Sequence, residues 1–263
     1  MGGETVLFRH EKTFVSRTRY AMSLCTCMDD ETVAQKLEDI KKVDYERIGE
    51  RMFVEMVYVN YSADGKQDYV ELVKKAAETG RILILDCKDA EIAKAALEVC
   101  KDGKPILNGA DASNYEAMNA VATAAGVVLN GVSGADLSEI HDTVEKLEGL
   151  GNKNLVIDVT GADVKETFKN AVQIRKAAIK DGDRTFGYPS IVNLHKNCSE
   201  VIFIKQAALL SLIQAMKYGS VIVARTYRLC RSSASVWSAS EPVHRSSEAN
   251  ESGTGRLSSE RSR

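Results

Sequence analysis

Short apolar segments alternate along the chain with amphipathic stretches of helical period. Seven of these segments are rich in β-branched residues and apolar at successive positions, as in strands buried on both faces of a parallel sheet. They lie at residues 56–61, 81–87, 104–110, 127–133, 154–161, 188–195 and 220–224. Because helix-length stretches separate them, the connections must cross over, and a long series of such units is typical of an α/β barrel.

The intervening stretches predict helices at 29–42, 65–79, 89–99, 114–125, 135–150, 162–180 and 199–218. Several of them end just before a glycine, which favours a left-handed cap. Two extended segments near the N-terminus, 4–8 and 20–26, are expected to form a hairpin or to supply the first barrel strand. With one member of this pair in the sheet the strands number eight, so the predicted fold class is α/β, a TIM-type (β/α)8 barrel.

The composition changes abruptly near the C-terminus. Residues 225–263 hold eleven serines and seven arginines but no lysine, and they contain the single tryptophan, Trp237. This composition predicts a disordered Ser/Arg-rich tail after a barrel domain at residues 1–224. We expect the barrel to be incomplete at its C-terminal end, without its eighth helix. Two explanations stay open, a frameshift near residues 223–225 and a native Ser/Arg-rich linker.

Charge and hydropathy bear on the kinds of partner. The formal net charge is −2 and the pI is about 6.2, so no basic footprint for nucleic acid is present. The longest apolar stretch, 201–215, is interrupted by Lys205, Gln206 and Gln214, which argues against a membrane span. The N-terminus lacks the apolar core of a signal peptide. We therefore expect a cytoplasmic protein with no nucleic-acid and no membrane partner.

Cysteines and histidines are scattered along the chain. Cys25 and Cys27 are the only close cysteine pair; CxC spacing alone is a weak metal signal, and reduced thiols are the expected state. His10 lies in a dense run of titratable groups, where a surface loop or partner contact is favoured over an acid–base role. No P-loop, dinucleotide, GxSxG or HExxH motif is present. The sequence therefore assigns no catalytic residue and no metal ligand.

Polar residues stand at the ends of the predicted strands, and in an α/β barrel these ends meet at the face that binds ligand. Asn and Asp together offer the donors and acceptors that suit a heterocycle such as a pterin. The same residue types also serve as turn and capping residues at any strand-to-helix junction, so a purely structural role stays open. The candidate ligand-binding residues are Asn60, Asp86, Asn108, Asn130, Asp158 and Asn193, with His195 nearby.

Several motifs, in order along the chain, resemble one known family. They are GGETVLFRHEKTF at 2–14, RIGERM at 47–52, KPIL at 104–107, FGYP at 186–189 and MKYGSVIV at 216–223. Together they resemble the barrel domain of the large (gamma) subunit of the corrinoid/iron–sulfur protein. That protein belongs to the acetyl-CoA decarbonylase/synthase (CO dehydrogenase/acetyl-CoA synthase) complex. The resemblance covers essentially all of residues 1–223.

The resemblance implies a parent protein of three parts in the reductive acetyl-CoA (Wood–Ljungdahl) pathway. An N-terminal domain with four cysteines would carry a [4Fe-4S] cluster, and a C-terminal domain would bind the corrinoid, whose cobalt carries a methyl group. The methyl group would come from a methyl-tetrahydropterin and pass to acetyl-CoA synthase. By resemblance, the partners are the small subunit of the corrinoid/iron–sulfur protein, the methyl-tetrahydropterin methyltransferase and acetyl-CoA synthase. This chain matches the barrel alone, so we expect no cofactor on it.

Three hypotheses follow from these observations. In the first, the chain is the barrel part of a corrinoid methyl carrier and acts as scaffold and partner surface. In the alternative, it is a stand-alone pterin-binding methyltransferase barrel that uses the polar strand ends. A third is a purely structural protein that pairs with a second barrel subunit. Titration with a methyl-tetrahydropterin distinguishes the second hypothesis from the other two.

Overall fold

The apolar segments of the sequence form a closed barrel of eight parallel strands. The structure is a computed structural model, and it describes residues 3, 18–47, 49–134, 136–194, 211, 213–215 and 219–225. Ala21 is in register with Met56 on one side and with Val223 on the other, which closes the sheet. The barrel strands are β1 (Arg19–Cys25), β4 (Met56–Asn60), β5 (Ile82–Asp86), β6 (Ile106–Asn108), β7 (Val128–Val132), β8 (Leu155–Asp158), β9 (Ser190–Asn193) and β10 (Val221–Ala224).

In the described residues, helices join the successive barrel strands from β1 to β9 and confirm the predicted alternation there. Of the six α-helices whose bounds lie in the described residues, five follow an N-cap aspartate whose side chain accepts a hydrogen bond from a backbone N–H of the first turn. A π-helical turn (Ala177–Asp181) continues the last of them, and a 3-10 helix (Arg184–Gly187) precedes β9. The helices are α1 (Asp30–Lys42), α2 (Tyr69–Ala77), α3 (Ala90–Cys100), α4 (Tyr115–Ala125), α5 (Leu137–Gly149) and α6 (Val164–Lys176).

The core has two layers because successive strand residues point to opposite faces of the sheet. Inside the barrel, side chains such as Met56, Ile84 and Val156 fill the space around the axis. On the outer face, residues such as Val57 and Leu85 pack against the helices. Each strand therefore has a fixed set of inward positions, and those near its carboxyl end face the barrel mouth.

An antiparallel hairpin that the sequence analysis did not predict lies between α1 and β4. Its strands are β2 (Asp44–Arg47) and β3 (Glu50–Phe53). Both strands are short and carry charged residues, so they lack the apolar run by which the barrel strands were recognised. Arg51 donates to both carboxylate oxygens of Asp44, at 2.7 and 2.5 Å, and this pair links the two strands.

Some predictions fall partly or wholly on residues outside the described ranges. Of the two N-terminal extended segments, 20–26 corresponds to β1, whereas 4–8 lies outside. The predicted helix at 199–218 is described only at residues 211 and 213–215. The incomplete C-terminal end and the tail concern residues 226–263, which also lie outside, so the boundary at residue 224 stays a prediction. Among the described residues, no helix combines the length and apolarity that a membrane span needs.

Candidate functional site

Strand register brings several of the predicted polar residues together at the carboxyl end of the barrel. Cys25 is aligned with Asn60, Asn60 with Asp86, and Asp86 with Asn108, so four neighbouring strands end in one polar row. None of the predicted site residues is the N-cap of a described α-helix, because these caps lie further along the loops, at an aspartate before five helices and at Asn114 before α4. Helix capping therefore does not account for this row, whereas the structural role in a turn stays open for Asp158, whose Oδ1 accepts from the backbone N–H of Thr160.

A buried hydrogen-bond network connects Asp86 and Asn108 of this row with Tyr58, which lies in the layer beneath it. The amide Nδ2 of Asn108 donates to Asp86 Oδ1 at 2.6 Å and to Tyr58 Oη at 3.2 Å. Asn108 is 2% exposed and Asp86 8% exposed. Because the carboxylate requires a donor, it fixes which way the Asn108 amide faces. Asn108 Oδ1 then remains a buried acceptor without a hydrogen-bond partner in the described part of the chain.

Tyr58 is a polar residue of the site that the sequence analysis missed. Burial raises the pKa of its phenol well above the usual value, and the nearby charges of Asp86 and Asp158 add to that shift. The phenol is therefore neutral at physiological pH. Tyr58 lies two residues before Asn60 on β4, so both side chains occupy the same face of the strand. That period of two was the signal that could have identified it.

The opposite side of the mouth is formed by Asp158 and Asn193, which are 7% and 0% exposed. Asp158 Oδ1 accepts a hydrogen bond from the backbone N–H of Thr160 at 2.9 Å, and Thr160 Oγ1 accepts one from the backbone N–H of Asn193 at 2.8 Å. Thr160 thus ties the end of β8 to the end of β9. A cleft of about 490 Å³ lies between α5 and α6 and includes Asp158, Glu166 and Lys169 in its lining.

The structure describes one further predicted site residue, Asn130, only in its backbone, and does not describe His195. The backbone of Asn130 lies in β7 and aligns with Val156, but its side chain is outside the described part. His195 lies outside the described residues altogether. Asp86, Asn108, Asp158 and Asn193 are thus buried strand-end residues, and Asn60 is half-buried beside them.

The cysteine pair at the end of β1 differs from the expectation of reduced thiols, because the structure joins Cys25 and Cys27 in a disulfide. The backbone N–H of Met28 donates to the carbonyl of Cys25 at 3.1 Å, and this turn brings the two Cα atoms to 5.1 Å. That separation lies within the range of disulfides. Asn60 Nδ2 donates to Cys25 Sγ at 3.5 Å, so the disulfide adjoins the polar row.

The described cysteines do not fit the four thiolate ligands of a [4Fe-4S] cluster. Cys25 and Cys27 are bonded to each other, and burial raises the pKa of both Cys87 and Cys100 to about 11. On α5, the side chains of His141, Asp142 and Glu145 each offer one possible metal-ligand atom, and these atoms lie within 4.8 Å of one another. The last two are exposed side chains on an outer helix, and the group takes no part in the barrel mouth.

Comparison with known proteins identifies relatives of the whole described region. A family model described as the CO dehydrogenase/acetyl-CoA synthase delta subunit matches residues 1–231. The corrinoid/iron–sulfur protein large subunit of Moorella thermoacetica is 34% identical over 227 residues, which cover 86% of this chain and 50% of that protein. The acetyl-CoA decarbonylase/synthase complex subunit gamma of Archaeoglobus fulgidus is 28% identical, with coverage of 86% and 50%. The chain thus spans about half the length of these relatives.

Solved structures with a similar architecture include dihydropteroate synthases. The enzyme of Thermus thermophilus has a TM-score of 0.64 at 15% identity, covering 86% of this chain and 95% of that chain. The Burkholderia cenocepacia enzyme complexed with 7,8-dihydropteroate has a TM-score of 0.59 at 11% identity, covering 88% and 94%. At these identities the likeness concerns the fold, and it confirms the predicted barrel.

Proposed function

The chain belongs to the CO dehydrogenase/acetyl-CoA synthase delta-subunit family, and we propose that it is the barrel part of a corrinoid/iron–sulfur methyl-carrier subunit. The assembled carrier would take a methyl group from a methyl-tetrahydropterin and pass it to acetyl-CoA synthase. The role assigned to this chain is that of scaffold and partner surface. The observation that carries the proposal is the continuous family match over residues 1–231, which includes the entire barrel.

Two features of the described residues support a scaffold role over a methyl-carrying one. The barrel and the two-stranded hairpin account for every described strand, so these residues contain no further sheet that could form a separate corrinoid domain. The described cysteines do not fit a cluster ligand set. A bound corrinoid supplies a cobalt that carries the methyl group, and we propose that it binds elsewhere in the parent protein.

The proposed partners are the small subunit of the corrinoid/iron–sulfur protein, the methyl-tetrahydropterin methyltransferase and acetyl-CoA synthase. Relatives named as complex subunits support an assembly role. The test mixes the purified full chain with the small subunit and measures the mass of the product by size-exclusion chromatography with light scattering. A stoichiometric complex is expected, and two separate peaks at micromolar concentration would contradict the partner role.

Metal analysis of the same preparation tests the scaffold assignment. We expect cobalt and iron far below one atom per chain after incubation with methylcobalamin or with iron and sulfide. Stoichiometric corrinoid binding by the isolated chain would contradict the assignment of this chain as scaffold alone. Bovine serum albumin treated in the same way serves as the control for adventitious metal.

A second candidate, a pterin-binding methyltransferase barrel, is favoured by one specific observation. Asn108 Oδ1 is a buried acceptor without a partner among the described residues, and it lies beside the Asp86 carboxylate. Such an acceptor destabilises the site unless a donor reaches it. The amino group and ring N–H of a pterin are donors of the required kind. Asp158 and Asn193 on the facing strands would then provide further contacts.

Calorimetric titration with 5-methyltetrahydrofolate and with methyl-tetrahydromethanopterin tests this candidate. If the barrel binds a pterin, Asn108→Ala should abolish the heat of binding, because it removes both the open acceptor and the donor to Asp86. Asn154→Ala, at an exposed asparagine before β8, is the matched control and should bind as the parent chain does. Absence of any heat up to millimolar ligand would exclude the second candidate and leave the scaffold proposal standing.

A further inference from the structure

The Cys25–Cys27 disulfide has no part in the proposed function, yet its two sulfur atoms lie in different environments. Cys27 is exposed on the loop that follows β1, whereas Cys25 is the last residue of that strand and is 7% exposed. A thiolate from solution can therefore reach the sulfur of Cys27. The sulfur of Cys25 would then be the leaving group.

The protein provides hydrogen-bond donors to that leaving group. Cys25 Sγ accepts from the backbone N–H of Cys27 at 3.2 Å and from Asn60 Nδ2 at 3.5 Å. Donors to a sulfur stabilise its thiolate form, and a thiol of lower pKa leaves faster in thiol–disulfide exchange. The two donors come from different segments, the loop after β1 and the end of β4, so the barrel itself builds this environment.

From this arrangement we propose that Cys25 and Cys27 form a redox-active site for thiol–disulfide exchange at the barrel mouth. Cys27 is the sulfur attacked from solution, and Cys25 is the leaving group held by Asn60. The co-reactant is a dithiol, either a small molecule or a protein with a CxxC pair. The site belongs to this chain's own residues and does not depend on either proposed function.

The exchange balances in two steps. A thiolate of the dithiol attacks Cys27 Sγ, a mixed disulfide forms, and Cys25 leaves as a thiolate that takes up a proton. The second thiol of the reductant loses its proton and attacks the other reductant sulfur, the one bonded to Cys27 Sγ in the mixed disulfide. Cys27 is released as a thiolate, which takes up a proton. The protein gains two electrons and two protons, and the reductant becomes a disulfide. Oxidation of the protein follows the same steps in reverse.

Thr26, between the two cysteines, connects the pair to a second loop of the mouth. Its hydroxyl accepts from the backbone N–H of Ser62 at 2.9 Å, and its carbonyl accepts from the backbone N–H groups of Lys66 and Gln67 at 2.8 and 3.2 Å. A change in the Cys25–Cys27 turn therefore acts on the backbone that anchors the loop between β4 and α2. Reduction should loosen this loop.

Mass spectrometry of the full chain tests the proposal directly. Trypsin releases residues 20–36 as one peptide that contains Cys25 and Cys27 and no other cysteine. After equilibration with dithiothreitol in its reduced and oxidised forms, acid quenching and alkylation, this peptide should convert between a form two hydrogens lighter and a doubly alkylated form. The conversion should follow a single two-electron curve. Double alkylation under every condition, or pairing with another cysteine, would overturn the proposal.

Variants test the roles of the individual residues. Asn60→Leu should slow reduction by dithiothreitol about three- to tenfold, because the leaving thiolate loses a donor. Asn154→Leu, at an exposed site, is the matched control and should leave the rate unchanged. Cys25→Ser should leave Cys27 as a rapidly alkylated thiol with no intrachain disulfide. An Asn60→Leu rate equal to that of the parent chain would overturn the leaving-group assignment.

Limited proteolysis tests the coupling to the loop. Native trypsin should cut after the exposed Lys66 about tenfold faster in the reduced protein than in the oxidised one, because loop opening exposes the bond. The double variant Cys25→Ser/Cys27→Ser should behave like the reduced protein in both buffers. Equal cleavage of the oxidised and reduced protein would overturn the coupling between the disulfide and this loop. The exchange chemistry itself is tested separately, by the mass shift of the peptide 20–36.

Discussion

Asn108 on β6 donates its side-chain amide to Asp86 on β5 over 2.6 Å, and the backbones of the two residues are aligned in the sheet. The pair lies at the carboxyl end of the barrel with both side chains almost fully buried. Tyr58 on β4 accepts a second hydrogen bond from the same amide nitrogen. The orientation of Asn108, and with it the direction of its open acceptor, therefore depends on two neighbouring strands.

Removal of the Asp86 carboxylate tests this arrangement. Asp86→Ala should lower the free energy of unfolding by about 1–3 kcal/mol, because the buried amide of Asn108 loses its closest acceptor. Asp86→Asn keeps an oxygen at that place and should cost clearly less. Urea unfolding followed by circular dichroism measures both. Equal stability of the Ala variant and the parent chain would show that the hydrogen bond does not stabilise the barrel.

Gly109 follows Asn108 in a backbone conformation that requires glycine. Its φ is +113°, and a Cβ at this position would lie 2.7 Å from the carbonyl oxygen of Cys87. Gly109→Ala should therefore lower the free energy of unfolding by about 1–3 kcal/mol from backbone strain, with the steric contact in addition. Gly103→Ala is the matched control, because a Cβ there meets no atom within 4 Å. In thermal unfolding, the melting temperature of Gly109→Ala should fall below that of the parent chain, and that of Gly103→Ala should not.

Thr26 holds two loops of the mouth together through its hydroxyl. Thr26→Val keeps the shape of the side chain but leaves the backbone N–H and carbonyl of Ser62 without this partner. We expect a loss of about 1–3 kcal/mol in the free energy of unfolding and faster tryptic cleavage after Lys66. Thr79→Val, at a half-buried threonine that follows α2, serves as a comparison. Unchanged cleavage after Lys66 would contradict the anchoring role.

The stability of the barrel should fall in alkaline solution. Burial raises the pKa of Cys87 and Cys100 from 9.0 to about 11, and it raises the pKa of Tyr58 and Tyr69 well above 10.0. Since the unfolded chain loses these protons at lower pH than the folded chain, unfolding releases protons in this range. The thiol contribution is thus complete below pH 9 and is lost as the pH rises towards 11.

Urea unfolding between pH 8 and pH 11 measures this effect. The double variant Cys87→Ala/Cys100→Ala should be less stable at pH 8, because it loses buried side-chain volume, but its stability should decrease less steeply between pH 9 and pH 11. A slope identical to that of the parent chain would show that the two thiols do not titrate differently in the folded and unfolded states.

The local pattern predicted most of the architecture because helix and strand periods are properties of short segments. The segment around Val57 and that around Leu85 were recognised as buried strands, and the structure has β4 and β5 there. The hairpin around Arg51 escaped recognition, since its short charged strands carry no apolar run. For the polar strand ends, residue type alone could not separate helix capping from other roles, and the structure shows that the helix caps are other residues.

The sequence by itself determined the alternation of strands and helices, the eightfold barrel and the face on which Asn60, Asp86 and Asn108 would appear. Those features depend on periodicity and chain connection, which are encoded within each segment. Only the tertiary structure decided that Asn108 contacts Asp86 and Tyr58, and that Asn60 reaches Cys25. Such contacts depend on strand register and barrel closure, which arise from packing among segments far apart in the chain.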